Sequence, residues 1–386
     1  MEYDYSYIKP SMSKLTIDTT NASYCDTSNL NCKCYDDAYL LPLRTGKGGI
    51  TDANHQYIKS SSTQHIRGAY SFTETDVTNH TDKAILLGVF STFVWGHCFS
   101  EHFGKLWFLH TEKCKRLISE GAEIVFISVN DIYPSYFYNL FNLAGFDINT
   151  AKCITSITQY KELYVPDDSF FSKEAKEPRF FHPEYLDTIR CIQKNVKKGM
   201  KHSDLPLYQK LYLTRTQGYF SSTLRDVGEK RIENIFKEIG FHVVAPEKFS
   251  VAEQIWMLMN CHDIATTEGS ISHAAVFCMP NTHLYLLRKA DWVSMHQLAI
   301  NEAADLSVTY IDAHHSCFCH KTEPWHGPFF MYMTPELKRF FGYRYNRNIP
   351  YFLNPLFLLY CIREIYVRTL RKNKWIDCVV RKIISK

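Results

Sequence analysis

From Leu211 to Leu287 the chain alternates short apolar runs with longer segments of helical spacing, and this alternation constrains the fold more than any other feature. Runs at 211–215, 241–245, 262–266 and 283–287 read as strands, and the segments 226–239, 250–260 and 272–278 read as helices. Runs this short and this continuously apolar suit strands buried on both faces, as in a parallel sheet covered by helices. An α/β domain follows, and in such sheets ligands gather at the carboxyl ends of the strands. Two of those ends carry chemistry: Thr214-Arg215 after the first run, and Glu268-Gly269-Ser270-Ile271-Ser272-His273 after the third.

Arg215 offers a planar fork of donors that matches phosphate oxygens. Its alternative is an ion pair with Glu229 or another carboxylate. Gly269 permits close backbone approach, Ser270 and Ser272 add hydroxyls, and the turn leads into Ala274-Ala-Val-Phe277 as a helix start that favours an anion. Arg215, Thr214 and this turn together suggest a diphosphate site. Glu268 can accept from ribose or sugar hydroxyls, or can be a solvated residue at an ordinary cap. His273 is either a ligand contact or a packed helix histidine.

A second alternating set lies upstream. Ile85–Phe90, Glu123–Ser128 and Lys161–Pro166 read as strands, Ser135–Ala144 as a helix, and Trp95–Leu109 has helical spacing. Residues 182–198 read as a connecting helix. The expected division is a loop-rich segment at 1–80, an α/β domain at 81–195, a second at 196–330, and a basic helical tail at 331–386. Arg44-Thr-Gly-Lys-Gly-Gly49 lacks the glycine spacing of a phosphate loop and reads as a turn.

The chain has 386 residues, enough for two α/β domains, with apolar (45%) and charged (22%) contents ordinary for a globular protein. The thirteen Cys are odd in number and irregular in spacing, and the first residues are polar. A reducing cytosol is expected, with the sequons at Asn21 and Asn79 fortuitous. No apolar run reaches the 18 residues of a membrane span. The net charge of +4 is too small to indicate nucleic acid. Residues 361–386, however, hold eight Lys/Arg against two acids, a net of +6. Interleaved with Leu356, Leu359, Ile362, Ile365, Trp375 and Val379, they make residues 354–386 either an anionic-membrane surface or a strut packed on the first domain. The cluster His314-His315-Ser-Cys317-Phe-Cys319-His320 reads as ordinary core and surface residues rather than a zinc site. No acidic pair stands at a strand end, which agrees with metal-independent chemistry in which cations and backbone dipoles stabilise a leaving diphosphate.

The run from Lys210 to Phe277 resembles the donor-binding half of glycosyltransferase family 61. The matching features are Leu213-Thr214-Arg215, Gly228-Glu229, Gly240-Phe-His-Val-Val244 with Pro246-Glu247, then Ser250, Gln254 and the small-residue turn. Many relatives have His-Gly-Ala-Gly at that turn; here it is Glu268-Gly-Ser-Ile271, which suggests a divergent bacterial branch. Gly96-His97, Glu101 and Lys105 resemble a second stretch of the family, with Gly104 where relatives have Pro and Lys105 where they have Arg.

The resemblance implies two facing Rossmann-like domains, the GT-B arrangement. It also implies an inverting glycosyltransferase that uses a nucleotide-sugar co-substrate (a UDP-sugar first among them) and no other cofactor. Its acceptor would be a glycan or lipid-linked sugar in capsular or other cell-surface polysaccharide synthesis, at the inner face of the plasma membrane. Inversion needs a base for the acceptor hydroxyl, and Glu101 is the first candidate with His97 the alternate. A non-catalytic glycan- or nucleotide-binding protein of the same fold is the competing expectation. An oxidoreductase is disfavoured because no Gly-x-Gly-x-x-Gly follows a strand.

Overall fold

The computed structural model describes residues 2–11, 22–58, 66–98, 102–133, 135–172, 179–201, 205–217, 226–315, 327–342, 355–368 and 370–384. In chain order the first strands are β1 (Glu2–Tyr7), β2 (Cys32–Arg44), β3 (Lys47–Thr51), β4 (Asn79–Phe90) and β5 (Glu123–Ser128). There follow β6 (Ala151–Cys153), β7 (Thr158–Pro166), β8 (Phe170–Ser172), β9 (Arg179–Phe181), β10 (Lys210–Leu213) and β11 (Asp226–Val227). The remaining strands are β12 (His242–Val244), β13 (Asp263–Thr267), β14 (His283–Arg288), β15 (Ser307–Asp312) and β16 (Phe329–Phe330).

They form two six-stranded sheets of order β3-β2-β7-β4-β5-β6 and β1-β15-β14-β13-β10-β12, with two small ladders, β8-β9 and β11-β16. The second sheet is parallel throughout. In the first, β4 to β7 are parallel, while β2 runs antiparallel to β7 and β3.

The strands bury both faces because their side chains alternate between two cores. Ile124 and Phe126 of β5 enter a large core shared by both sheets, while Val125 and Ile127 enter a separate one behind the first sheet. In β10, Leu211 and Leu213 face the shared core and Tyr212 the core behind the second sheet. The helix Pro183–Gly199 sends Tyr185, Ile189, Ile192 and Val196 into the shared core, so it links the sheets by packing as well as by sequence. The helix Val251–Asn260 starts at Ser250, whose hydroxyl accepts from Glu253 N–H while Glu253 returns the bond to Ser250 N–H.

Five expectations change. Residues 1–80 contribute strands to both sheets, because β2 buries its second half (Ala38–Leu43) although its first half is polar. Trp95–Leu109 is not one helix: a single turn spans Trp95–His97 and a 3₁₀ stretch spans Leu106–His110. Leu106, Trp107, Phe108 and Leu109 are all buried, so no face remains for solvent. The helix expected from 226 begins at Glu229, since Gly228 turns the backbone to φ 95° after β11. Ser272–Phe277 is a six-residue 3₁₀ segment, which supplies turn N–H groups but no helix dipole of useful length. The tail helix Pro355–Arg368 places Phe357 and Tyr360 on Phe330 of β16, beside the second sheet and not on the first domain.

Candidate active site

The carboxyl ends of β4, β5, β10, β12 and β13 open onto one cavity of about 660 Å³. That volume is within the usual range for a small-molecule site. Phe93, Trp95, Ser135 and Tyr136 follow the first-sheet strands, while Arg215, Val244, Ser250, Gln254 and Ser270 follow the second. Among the described residues, Arg215 and Glu247 are the charged ones of the lining. Each half thus supplies a wall, and neither wall is complete alone.

Contact between the halves is close at Gly96. A Cβ there would stand 2.8 Å from His273 Nδ1 and 2.9 Å from the Cα and Cβ of Ser270. The first-sheet turn therefore lies on the Gly269–Ser272 turn because residue 96 has no side chain. His97, half-buried, packs near His296 (6.1 Å between ring centroids), and His296 stacks on His273 at 5.6 Å. Burial pushes the His273 imidazole down to about 3, helped by His97 and Arg215, so it is neutral at physiological pH.

Of the residues expected at a donor site, Arg215 and Ser270 line the cavity. Arg215 is 8% exposed, and its guanidinium lies 3.5 Å from Asp226. Its backbone N–H donates to Glu229 at 3.4 Å. Asp226 is thus a carboxylate partner of the side chain. Thr214 is buried and donates to Glu233 at 2.6 Å, fixing the strand end rather than facing the cavity. Ser272 closes the turn: its hydroxyl stands 2.7 Å from both the Gly269 carbonyl and Gln297 Oε1, and it accepts from Gly269 N–H at 3.2 Å. Glu268 is buried and accepts from Ser294 N–H at 2.8 Å. Burial raises its carboxyl to about 7, against the pull of Arg288, that hydrogen bond and Lys289. Glu268 and His273 stand behind the turn and support it. Glu101 lies outside the described residues, as do Cys317, Cys319 and His320. His314 bonds to Asp291 (2.8 Å) and to the Arg288 carbonyl (3.0 Å).

Residues 95–285, which span both cavity walls, match the family model described as Glycosyltransferase 61. The chain carries a glycosyltransferase 61 domain. It is a glycosyltransferase, an enzyme with a donor and an acceptor substrate. No curated protein matches the chain closely.

Three polar residues of this glycosyltransferase escape sequence reasoning. Lys289 is buried one residue beyond β14, and its Nζ bonds to Asp226 Oδ1 at 2.9 Å. The strand-end rule that selects Arg215 also selects Lys289, so a signal existed. Asp226 has none, since it follows no apolar run. His296, third in the histidine row, accepts from Arg179 Nε at 3.1 Å and sits in a helix with no motif.

Proposed function

We propose that the cleft binds a nucleotide-sugar, with a UDP-sugar first among the candidates, and that the enzyme transfers the sugar with inversion and without a metal ion. The observation that carries this reading is the shared cavity, where Arg215 and the Ser270 turn meet aromatic and hydroxyl side chains of the other half. Arg215 takes the diphosphate, and turn N–H groups and the Ser270 hydroxyl add donors where leaving-group charge grows. The apolar walls suit a base and a sugar ring. In this reading residues 81–195 form the acceptor side and 196–330 the donor side of a GT-B arrangement. A base on the acceptor side, Glu101 or in its place His97, removes the acceptor proton. Metal independence rests on the lack of an acidic pair at any strand end in the sequence.

The acceptor is a glycan or lipid-linked sugar of a bacterial capsule or related polysaccharide, and the enzyme works at the inner membrane face. The tail supports that location. Leu358, Leu359, Ile362 and Ile365 are exposed along one helix, and Trp375 (74% exposed) and Val379 along the next, beside Arg371, Lys374 and Lys382. Among the described residues no helix is long and apolar enough to cross a membrane. An apolar stripe flanked by cations suits an anionic lipid surface.

The deciding experiment is a thermal-shift and calorimetric screen of UDP-, GDP-, CDP- and ADP-sugars, followed by a transfer assay with EDTA. Binding of one class and undiminished transfer in EDTA are expected. Turnover lost to the chelator and restored by Mg²⁺ or Mn²⁺ overturns the metal-free mechanism.

A further inference from the structure

Asp226 joins two cations. Its Oδ1 accepts from Lys289 Nζ at 2.9 Å, and its Oδ2 stands 3.5 Å from Arg215, with all three side chains less than a tenth exposed. Asp226 is held by the parallel β11–β16 ladder, and the Lys289 ammonium lies 4.4 Å above the ring of Phe329 in the same ladder. On its other side Lys289 meets the cavity turn. Gly269 has φ 135°, a conformation that favours glycine, and a Cβ there would lie 3.9 Å from Lys289 Nζ. The next residue, Ser270, lines the cavity.

We propose that Lys289 is a second cation for the donor diphosphate, held by Asp226 beside Arg215 until the anion arrives; this rests on reading the cleft as a nucleotide-sugar site. A diphosphate carries more charge than one cation balances, and among the described residues Arg215 is the one cation of the lining. Lysine suits the second position because its ammonium is a compact charge on a flexible stem and can move from one oxygen ligand to another. The local charge favours the exchange. Asp226 stands at hydrogen-bonding or near-bonding distance from both cations, and burial and Asp226 push the carboxyl of the neighbouring Glu229 up against the pull of Lys289 and Arg215. An incoming diphosphate brings further negative charge to two cations that share this carboxylate. Desolvation offsets much of the attraction in a buried ion pair, so stability is a weak reason for a buried Lys289–Asp226 pair.

The test is calorimetric titration of the full chain with UDP and UMP, with GDP, CDP and ADP in parallel. It compares wild type, Lys289→Met and the double variant Asp226→Asn/Lys289→Met. Wild type is expected to prefer UDP to UMP. Lys289→Met should weaken UDP roughly tenfold or more, the effect of losing a hydrogen bond to a charged group, and leave UMP much less changed. The double variant removes the stranded carboxylate, and it also removes a negative charge that opposes anion binding. If Lys289 contacts phosphate, UDP affinity nevertheless stays low in the double variant. Wild-type UDP affinity in the double variant assigns Lys289 to pairing with Asp226 alone and overturns the inference, while the nucleotide reading stands. Failure of the wild-type chain to bind any of the four nucleoside diphosphates overturns both.

Discussion

The second sheet runs all six strands one way, whereas in the first β2 runs against its neighbours β7 and β3. Arg215, Glu268 and Lys289 consequently emerge at one edge of the second sheet, follow neighbouring strands, and are buried against partners. The first sheet delivers Phe93, Val94, Trp95, Ser135, Tyr136 and Asn139 to the same cavity, none of them charged. Among the described lining residues, fixed charge comes from one half and shape from the other. A parallel sheet covered by helices fits the first task, because its strand ends converge where solvent is excluded and ion pairs hold their geometry.

That division can be broken from either side. The largest expected effect lies in the first half: Glu101→Gln should lower turnover by roughly 10²–10⁴-fold while nucleotide affinity stays as it was. Steady-state kinetics beside calorimetry decide this, and a near-normal rate, with His97→Ala inactive, moves the base to His97. In the second half, Arg215→Ala should weaken nucleoside diphosphate binding by roughly 1.5–3 kcal/mol. Transfer should fall further, because charge on the leaving phosphate grows in the transition state. Arg215→Lys should restore part of both, and unchanged affinity in the Ala variant would return Arg215 to a purely structural pairing with Asp226. Gly96→Ala tests the seam. The added methyl meets His273 and Ser270, so a loss of about 1–3 kcal/mol in urea unfolding is expected, with weaker nucleotide binding as the turn shifts.

The smallest effect concerns Glu268 and pH. Its carboxyl is near 4.5 when unfolded and about 7 when folded, so the native state retains a proton that the unfolded state releases in between. That contribution is present in full below about 4.5 and is lost as pH rises through about 7. Glu268→Gln lacks the loss, so from pH 5 to pH 8 it should gain on the wild type by on the order of 1–2 kcal/mol. Paired denaturation curves at the two pH values measure the gain, and the opposite titration of His273 cancels in the comparison. A constant difference between the two proteins would mean that Glu268 ionises as freely in the fold as in the unfolded chain.

Local patterning by itself determined much of this molecule. The strands near 211, 242, 263 and 283 and the helices at Pro183–Gly199 and Val251–Asn260 were legible because periodic apolarity and the Ser250 cap are properties of neighbouring residues. Arg215 and the Ser270 turn were legible because a parallel strand places its next residues at the ligand edge. Only the tertiary structure decided that β1 pairs with β15, Glu2 against Ser307, across nearly the whole chain. It alone brought Asp226 to Lys289, Gly96 onto Ser270, and the tail helix onto Phe330. Each of these contacts closes a long loop, and what selects it is the packing of surfaces built by distant residues, which no window of neighbouring side chains contains.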